Sequence, residues 1–293
     1  MTARVRDVIA AATARLAAVG VASPRVDAEL LVAHVLRVDR GRLVVVDSLT
    51  DAEHAELTAL VGRRADREPL QHILGDAAFG PVTLAVGPGV FVPRPETELL
   101  LEWAVGACAR AGPAPRVVDL CSGSGALALG VAALTDATVV AVEKDADALI
   151  WLRRNVTDAP EPWRRRVEVR AGDATTLDWR HPADGPIDVV VSNPPYVPST
   201  ADVTPEVAHD PDVAVFGGRD GMSVITPMVA AIAAVLVPGG RCAIEHDDTT
   251  ADRVAAALDA TDAFDGVVAH RDLTGRPRFV SARRRSDTST AVG

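Results

Sequence analysis

The run Asn193-Pro194-Pro195-Tyr196, which contains the chain's only tyrosine, has the residue types to recognise a planar NH2 group. Asn193 offers a side-chain carbonyl oxygen. Pro194 keeps its backbone carbonyl but has no N–H to donate. Pro195 pushes Pro194 toward an extended conformation, so the direction of that carbonyl is largely fixed in advance. Two acceptors held this way match the two N–H groups of an amide or amine, and the Tyr196 ring can cover its plane. The run follows the apolar stretch 187–191 and Ser192, which reads as a buried parallel strand with a polar exit. A plain strand-to-loop turn is the competing reading, since Asn-Pro and Pro-Pro are ordinary loop dipeptides.

A second group of residues has the chemistry of a cofactor cradle. Asp119-Leu120-Cys121-Ser122-Gly123-Ser124-Gly125 lies between an apolar strand and a helix, and its glycines let backbone approach a ligand at the helix start. It is a poor phosphate fingerprint, because Cys121 occupies the first position of G-x-G-x-x-G. Glu143, 24 residues after Asp119, ends the next strand and is placed to hold the two hydroxyls of a ribose. Gly172-Asp173-Ala174 follows the third strand, where an adenine ring would be edged and covered. An acidic residue at the turn disfavours a pyrophosphate and suits a cationic sulfonium with a free ammonium group, which points to S-adenosyl-L-methionine. Asp119 can serve directly, through ordered water, or by accepting from backbone N–H groups of the turn.

The elements that must position these groups follow from periodicity. Helical spacing over 4–19, a Ser23-Pro24 start for a second helix and a Thr50 or Asp51 cap for a third predict a small bundle over 1–75. The Arg67-Glu68-Pro69-Leu70 stretch is expected to end it. Residues 76–93 read as a β-hairpin connector and 94–285 as one α/β domain, leaving 286–293 as a mobile tail. Within that domain, strands over 117–120, 138–142, 167–169, 187–191, 241–245, 266–271 and 277–282 alternate with helices, one of them spanning 222–236 and stopped by Pro238-Gly239-Gly240. The fold class is α/β: a seven-stranded, mostly parallel, doubly wound sheet with a small N-terminal helical domain.

Composition narrows the function classes. A formal charge of −10 disfavours broad binding to free nucleic acid. Arg63-Arg64 with Arg67, 164–166 and 283–285 read mainly as solvated faces. The N-terminal Ala-rich stretch is too short and interrupted for a signal peptide or membrane span. Cys108, Cys121 and Cys242 lack metal-ligand or disulfide spacing, so no metal is expected and the compartment reads as cytoplasmic. The Glu245-His246 pair reads as structural support.

With these residues in view, the chain resembles the protein-(glutamine-N5) methyltransferases that modify class I peptide chain release factors, and more narrowly the actinobacterial members. The likeness runs from about residue 5 to 282. It includes 69–75, Pro93-Arg94-Pro95-Glu96-Thr97-Glu98, 119–125, 193–196, 216–221 and 272–278. The Arg-Pro-Glu-Thr and Asp-Leu-Thr-Gly-Arg runs are more specific than Asn-Pro-Pro-Tyr, which also marks adenine-N6 enzymes. The resemblance implies methyl transfer from S-adenosyl-L-methionine to the glutamine of a Gly-Gly-Gln motif, held by Asn193 and the Pro194 carbonyl. It implies cofactor contacts from 121–125, Glu143, Ala174 and Asn193, and a helical domain and hairpin that help embrace the release factor. Cys121-Ser122 stands where the family usually has Gly-Thr, Glu143 where Asp is commoner, and Ala174 in place of a larger stacking side chain. The expected partner is a release factor met one to one by a monomer, with no free nucleic acid and no membrane. Alternatives are another glutamine-bearing protein substrate, an adenine-N6 enzyme, and a non-catalytic binding protein.

Overall fold

The structure, a computed structural model, describes residues 3–286, so the tail set apart from 286 lies outside the described residues except for Ser286. The chain divides into two compact units. The first runs through Asp76 and takes in Val203–His209. In it, β1 (Ala3–Arg4) leads into α1 (Val5–Ala18) and α2 (Pro24–Leu36); β2 (Ser48–Leu49) pairs antiparallel with β1, and α3 (Asp51–Ala65) and α4 (Leu70–Leu74) follow. Val5, Val8, Ala12 and Leu16 of α1 recur every third or fourth position and are buried, as one face of a helix requires. Thr50 and Glu53 form a reciprocal capping box at α3. Ser23 precedes α2 as expected, but its side chain makes no capping bond; Pro24 at the first turn sets the start. The 67–70 stretch does not end the unit. Pro69 opens α4, whose Leu70 and Ile73 join the bundle core.

The sequence reading placed Val203–His209 with the large domain. Its packing is with the first unit, because Glu206 accepts from Arg67 Nη2 at 2.6 Å, Arg67 Nε at 2.9 Å and Arg64 Nη2 at 3.0 Å. Arg64 is buried and also holds Asp27 at 2.7 Å. Burial opposes ionisation of Glu206, but the hydrogen bonds from Arg67 and Arg64 outweigh it and bring the carboxyl down to about 2.

The second unit begins at Ala77, within the first strand of a hairpin made of β3 (Asp76–Phe79) and β4 (Val82–Ala85), and continues into α5 (Glu98–Ala111). The strand-helix series follows: β5 (Arg116–Leu120), α6 (Ala126–Leu134), β6 (Thr138–Glu143), α7 (Ala146–Asp158), α8 (Glu161–Arg164), β7 (Val167–Ala171) and β8 (Ile187–Ser192). After α9 (Asp212–Val215) come α10 (Ile225–Val235), β9 (Leu236–Glu245), α11 (Ala251–Asp259), β10 (Phe264–Arg271) and β11 (Pro277–Arg284). The sheet order is β10-β11-β9-β8-β5-β6-β7, parallel from β9 to β7 and antiparallel at β10 and β11. Alternate residues serve two cores: Val117, Val139, Ala141, Val189 and Val191 pack on one face, Val118, Leu120, Val140, Val142 and Val190 on the other.

One boundary differs from expectation. Helix α10 stops at Val235, and β9 already runs through Pro238-Gly239-Gly240 instead of starting after them. The register against β8 slips between Ile187 and Val189, and a side chain at Gly240 would lie 2.9 Å from the Val237 carbonyl and 3.1 Å from that of Asp188. Glycine permits this irregular strand entry.

Candidate active site

The chain proceeds from β5 outward to β6 and β7, then crosses to β8 on the other side of β5. Ligands of open α/β sheets bind beyond the carboxyl ends of strands at such a reversal. The anticipated residues stand there together: 119–125 after β5, Glu143 at the end of β6, 172–174 after β7 and 193–196 after β8.

The turn after β5 is shaped by backbone in the left-handed region at Cys121 (φ 60°), Gly123 (54°) and Gly125 (90°). At Gly123 a side chain would meet nothing within 4 Å, whereas at Gly125 it would collide with Leu152 Cδ1 at 2.7 Å. One glycine leaves a cradle open and the other seats the turn on α7. Glu143 Oε2 accepts from Gly123 N at 2.9 Å, and Oε1 accepts from Lys144 N and Asp145 N at 2.8 Å each. Burial still raises this carboxyl, against those three bonds. Asn155 of α7 fastens the turn from behind, donating to Ser124 O at 2.9 Å and Ala85 O at 3.0 Å and accepting from Ala85 N at 2.8 Å.

Asp119 is almost fully buried. Its Oδ2 accepts from Ala128 N of α6 at 3.1 Å, so its backbone bond goes to the helix and not to the turn. Its Oδ1 is buried with no hydrogen-bond partner among the described residues, and burial lifts the carboxyl to about 7 against hydrogen bonds that involve Ser122 and Ala128. An orphaned acidic oxygen, an open glycine cradle and a fixed Glu143 carboxylate fit a cationic, ribose-bearing cofactor. Asp173 is partly committed within its own loop: Oδ1 accepts from Thr175 N at 2.8 Å and Thr175 Oγ1 at 2.7 Å, and Oδ2 faces Lys144 Nζ at 3.5 Å. Ala174 is buried in the core with Trp179 and Val118.

After β8, Asn193 Nδ2 donates to Thr97 Oγ1 at 3.1 Å, Thr97 Oγ1 donates to Glu245 Oε1 at 3.2 Å, and Tyr196 OH donates to the same oxygen at 3.0 Å. Among the described residues no donor reaches Asn193 Oδ1 or the Pro194 carbonyl. Pro194 and Pro195 are buried, and Tyr196 is half-buried against the core. The loop is clamped by 215–221: Val197 N donates to Val215 O and Gly217 N to Val197 O, both at 2.9 Å. A side chain at Gly217 would lie 2.5 Å from the Pro195 carbonyl, and one at Gly221 2.4 Å from that of Tyr196. Those glycines allow the close approach. In the sequence, Thr97 reads only as part of the 93–98 run and Asn155 only as the end of a helix, neither as a residue that shapes the site. Glu245 was noticed only as half of a supporting pair with His246. Among the described residues no cluster could hold a metal ion.

Comparison with known proteins bears on the family and the fold. Residues 7–75 match the family described as PrmC N-terminal domain, and 83–210 match Conserved hypothetical protein 95. The release factor glutamine methyltransferase of Mycolicibacterium smegmatis is 54% identical over 286 residues, spanning 96% of this chain and 98% of its own. Those of Corynebacterium glutamicum (50% over 275 residues, 93% and 96%) and Deinococcus radiodurans (42% over 286 residues, 96% and 99%) are similar along their length. Among solved structures, a Thermus thermophilus 16S rRNA N2 G1207 methyltransferase in complex with AdoMet and guanosine shares the fold, with a TM-score of 0.50 at 23% identity over 72% of this chain and 50% of that one. Sheet, switch point and relatives define an S-adenosyl-L-methionine-dependent methyltransferase. Within that class, the chain belongs to the release factor glutamine methyltransferases.

Proposed function

We propose that this chain transfers a methyl group from S-adenosyl-L-methionine to the side-chain amide N5 of the glutamine in the Gly-Gly-Gln motif of class I peptide chain release factors. The observation that carries the reading is the asparagine amide tied back through its NH2, which leaves Asn193 Oδ1 beside the Pro194 carbonyl as a pair of acceptors. An amide nitrogen is a weak nucleophile because its lone pair is delocalised into the carbonyl. Acceptors on both N–H groups orient it and stabilise the positive charge that grows on it during transfer. When bound, the cofactor supplies an electrophilic methyl on a cationic sulfur. Asp119, the turn 121–125, Glu143 and the loop with Asp173 and Ala174 are the residues proposed to hold it, with Asn193 bordering both ligands. Pro195 stiffens the site, Tyr196 packs beside the amide, and the nitrogen releases one proton to solvent.

We place the protein in the cytoplasm as a monomer meeting a folded release factor one to one, with the helical unit as part of the docking surface. Among the described residues no helix is long and apolar enough to cross a membrane. The test incubates the protein with labelled S-adenosyl-L-methionine and a recombinant release factor. Label is expected on the tryptic peptide that contains Gly-Gly-Gln, and none after Gln→Glu, which removes the NH2 and puts a carboxylate against two acceptors. Labelling of duplex DNA, or of a peptide lacking glutamine, would overturn the assignment.

A further inference from the structure

We propose that Glu245 is a positioning residue that sets, through Thr97, which end of the Asn193 amide faces the substrate. The inference rests on the glutamine-amide reading above and names the part of the protein that enforces it. An asparagine side chain fits a site with O and N exchanged, and only its neighbours decide between the two. Here the neighbour is Thr97 Oγ1 at 3.1 Å, and the hydroxyl proton of Thr97 is committed to Glu245 Oε1 at 3.2 Å. An ionised carboxylate accepts only, so Thr97 must donate to it and can only accept from Asn193. The Nδ2 of Asn193 is thereby drawn inward and Oδ1 is left for the substrate. In the exchanged orientation two oxygens would face each other with no proton between them.

The same Glu245 oxygen takes Tyr196 OH at 3.0 Å, so one carboxylate governs both ends of the four-residue site. Thr97 and Glu245 are each 3% exposed, which keeps water from substituting for either bond. The relay joins three separate stretches of chain: the turn before α5, the end of β8 and the end of β9. Burial lifts Glu245 to about 7, against the hydrogen bonds from Thr97 and Tyr196. Other charged or titratable groups around it are Arg278 on β11, Glu96 next to Thr97, and His246 next along the chain. A protonated Glu245 can donate to Thr97 and release the Thr97 proton toward Asn193, which permits the inverted amide. Glu245→Gln carries that ambiguity at every pH.

Three variants test the relay: Thr97→Val, which removes the hydroxyl at nearly constant volume, Thr97→Ser, which keeps it, and Glu245→Gln. Thr97→Val and Glu245→Gln are expected to lower kcat about tenfold or more, as misorientation of a reacting group does, with little change in KM for the release factor or in calorimetric affinity for S-adenosyl-L-methionine. Thr97→Ser should restore kcat. The fall in wild-type kcat below neutral pH should flatten in Glu245→Gln. Independently of any substrate, the side-chain NH2 signals of Asn193 in 15N-labelled protein, assigned by their loss in Asn193→Ala, should move in Thr97→Val and Glu245→Gln and return in Thr97→Ser. Unmoved Asn193 signals in Thr97→Val, or full kcat in both Thr97→Val and Glu245→Gln, would overturn the relay. Failure of the wild-type protein to label a release factor would overturn the substrate reading alone, and the NMR result would still decide the relay.

Discussion

An asparagine side chain can present either oxygen or NH2, and at Asn193 the choice is made by a hydroxyl that has already given its proton away. That makes Asn193 Oδ1 and the Pro194 carbonyl a preorganised pair, and preorganised polar groups cost no reorientation as charge develops. Asn193→Ala removes one of the pair. Turnover is expected to fall by about 10²-fold or more, the scale of losing one such contact, while affinity for S-adenosyl-L-methionine, measured by calorimetry, falls far less. Equal losses in both would mean that Asn193 serves the cofactor and not the transferred methyl. The Asn-Pro-Pro-Tyr run was legible in the sequence because its groups lie within four consecutive residues and the prolines restrict their own backbone. Thr97 and Glu245 were not legible as a unit. They are 148 residues apart, and only the approach of the turn before α5 to the end of β9 brings them together.

At the scale of elements, the cofactor turn is held by helix packing as much as by its own glycines. Asn155 on α7 bonds the hairpin at Ala85 and the turn at Ser124 with a single side chain. Trp151, one turn earlier on the same helix, donates to Pro88 O at 3.2 Å and packs so closely on Gly87 that a side chain there would lie 2.7 Å from its ring. Asn155→Ala leaves these partly buried backbone groups without partners and is expected to cost roughly 2–4 kcal/mol. Urea denaturation should show a lower midpoint at unchanged slope, and cofactor affinity should weaken because Ser124 loses its anchor. A variant that lost stability but bound cofactor normally would show that the turn holds its shape without α7. The sheet itself was legible in the amino-acid order, since strands buried on both faces appear as near-continuous Val, Ile and Ala runs. What could not be read were places where tertiary partners overrule local signals. Pro238-Gly239-Gly240 looks like a helix stop followed by a turn, yet it lies inside β9, in the register shift between Leu236 and Arg241, the residues that pair with β8 on either side of it. Val203–His209 carries no pattern of its own, and Glu206 assigns it to the first unit.

Across the whole molecule, one carboxyl in each unit, Glu206 in the first and Glu245 in the second, shifts in opposite directions, so the two respond oppositely to pH. In the first unit, Glu206 is held at about 2, below its ordinary 4.5, so its contribution is complete above about pH 4.5 and is lost as pH falls through about 2. In the second, Glu245 is lifted from 4.5 to about 7, so its contribution is complete below about pH 4.5 and is lost as pH rises through about 7. The chain supplies a probe for each unit. All four tryptophans, Trp103, Trp151, Trp163 and Trp179, lie in the second unit, so indole fluorescence follows that unit, whereas far-ultraviolet circular dichroism also follows the helices of the first. Glu245→Gln removes the titrating carboxyl. The unfolding free energy of wild type minus that of Glu245→Gln, read by fluorescence in urea, should therefore fall by roughly 3 kcal/mol between pH 4.5 and 7, at about 1.4 kcal/mol per unit of pKa difference. The corresponding difference for Glu206→Gln, read by circular dichroism, should be flat over that range and shrink as the pH falls below about 4.5. A wild-type minus Glu245→Gln difference that stayed level between pH 4.5 and 7 would mean that Glu245 keeps its charge at no cost in the folded protein. The carboxylate would then hold Thr97 and Asn193 in one orientation throughout that range, and any acid limb in turnover would have to come from another group.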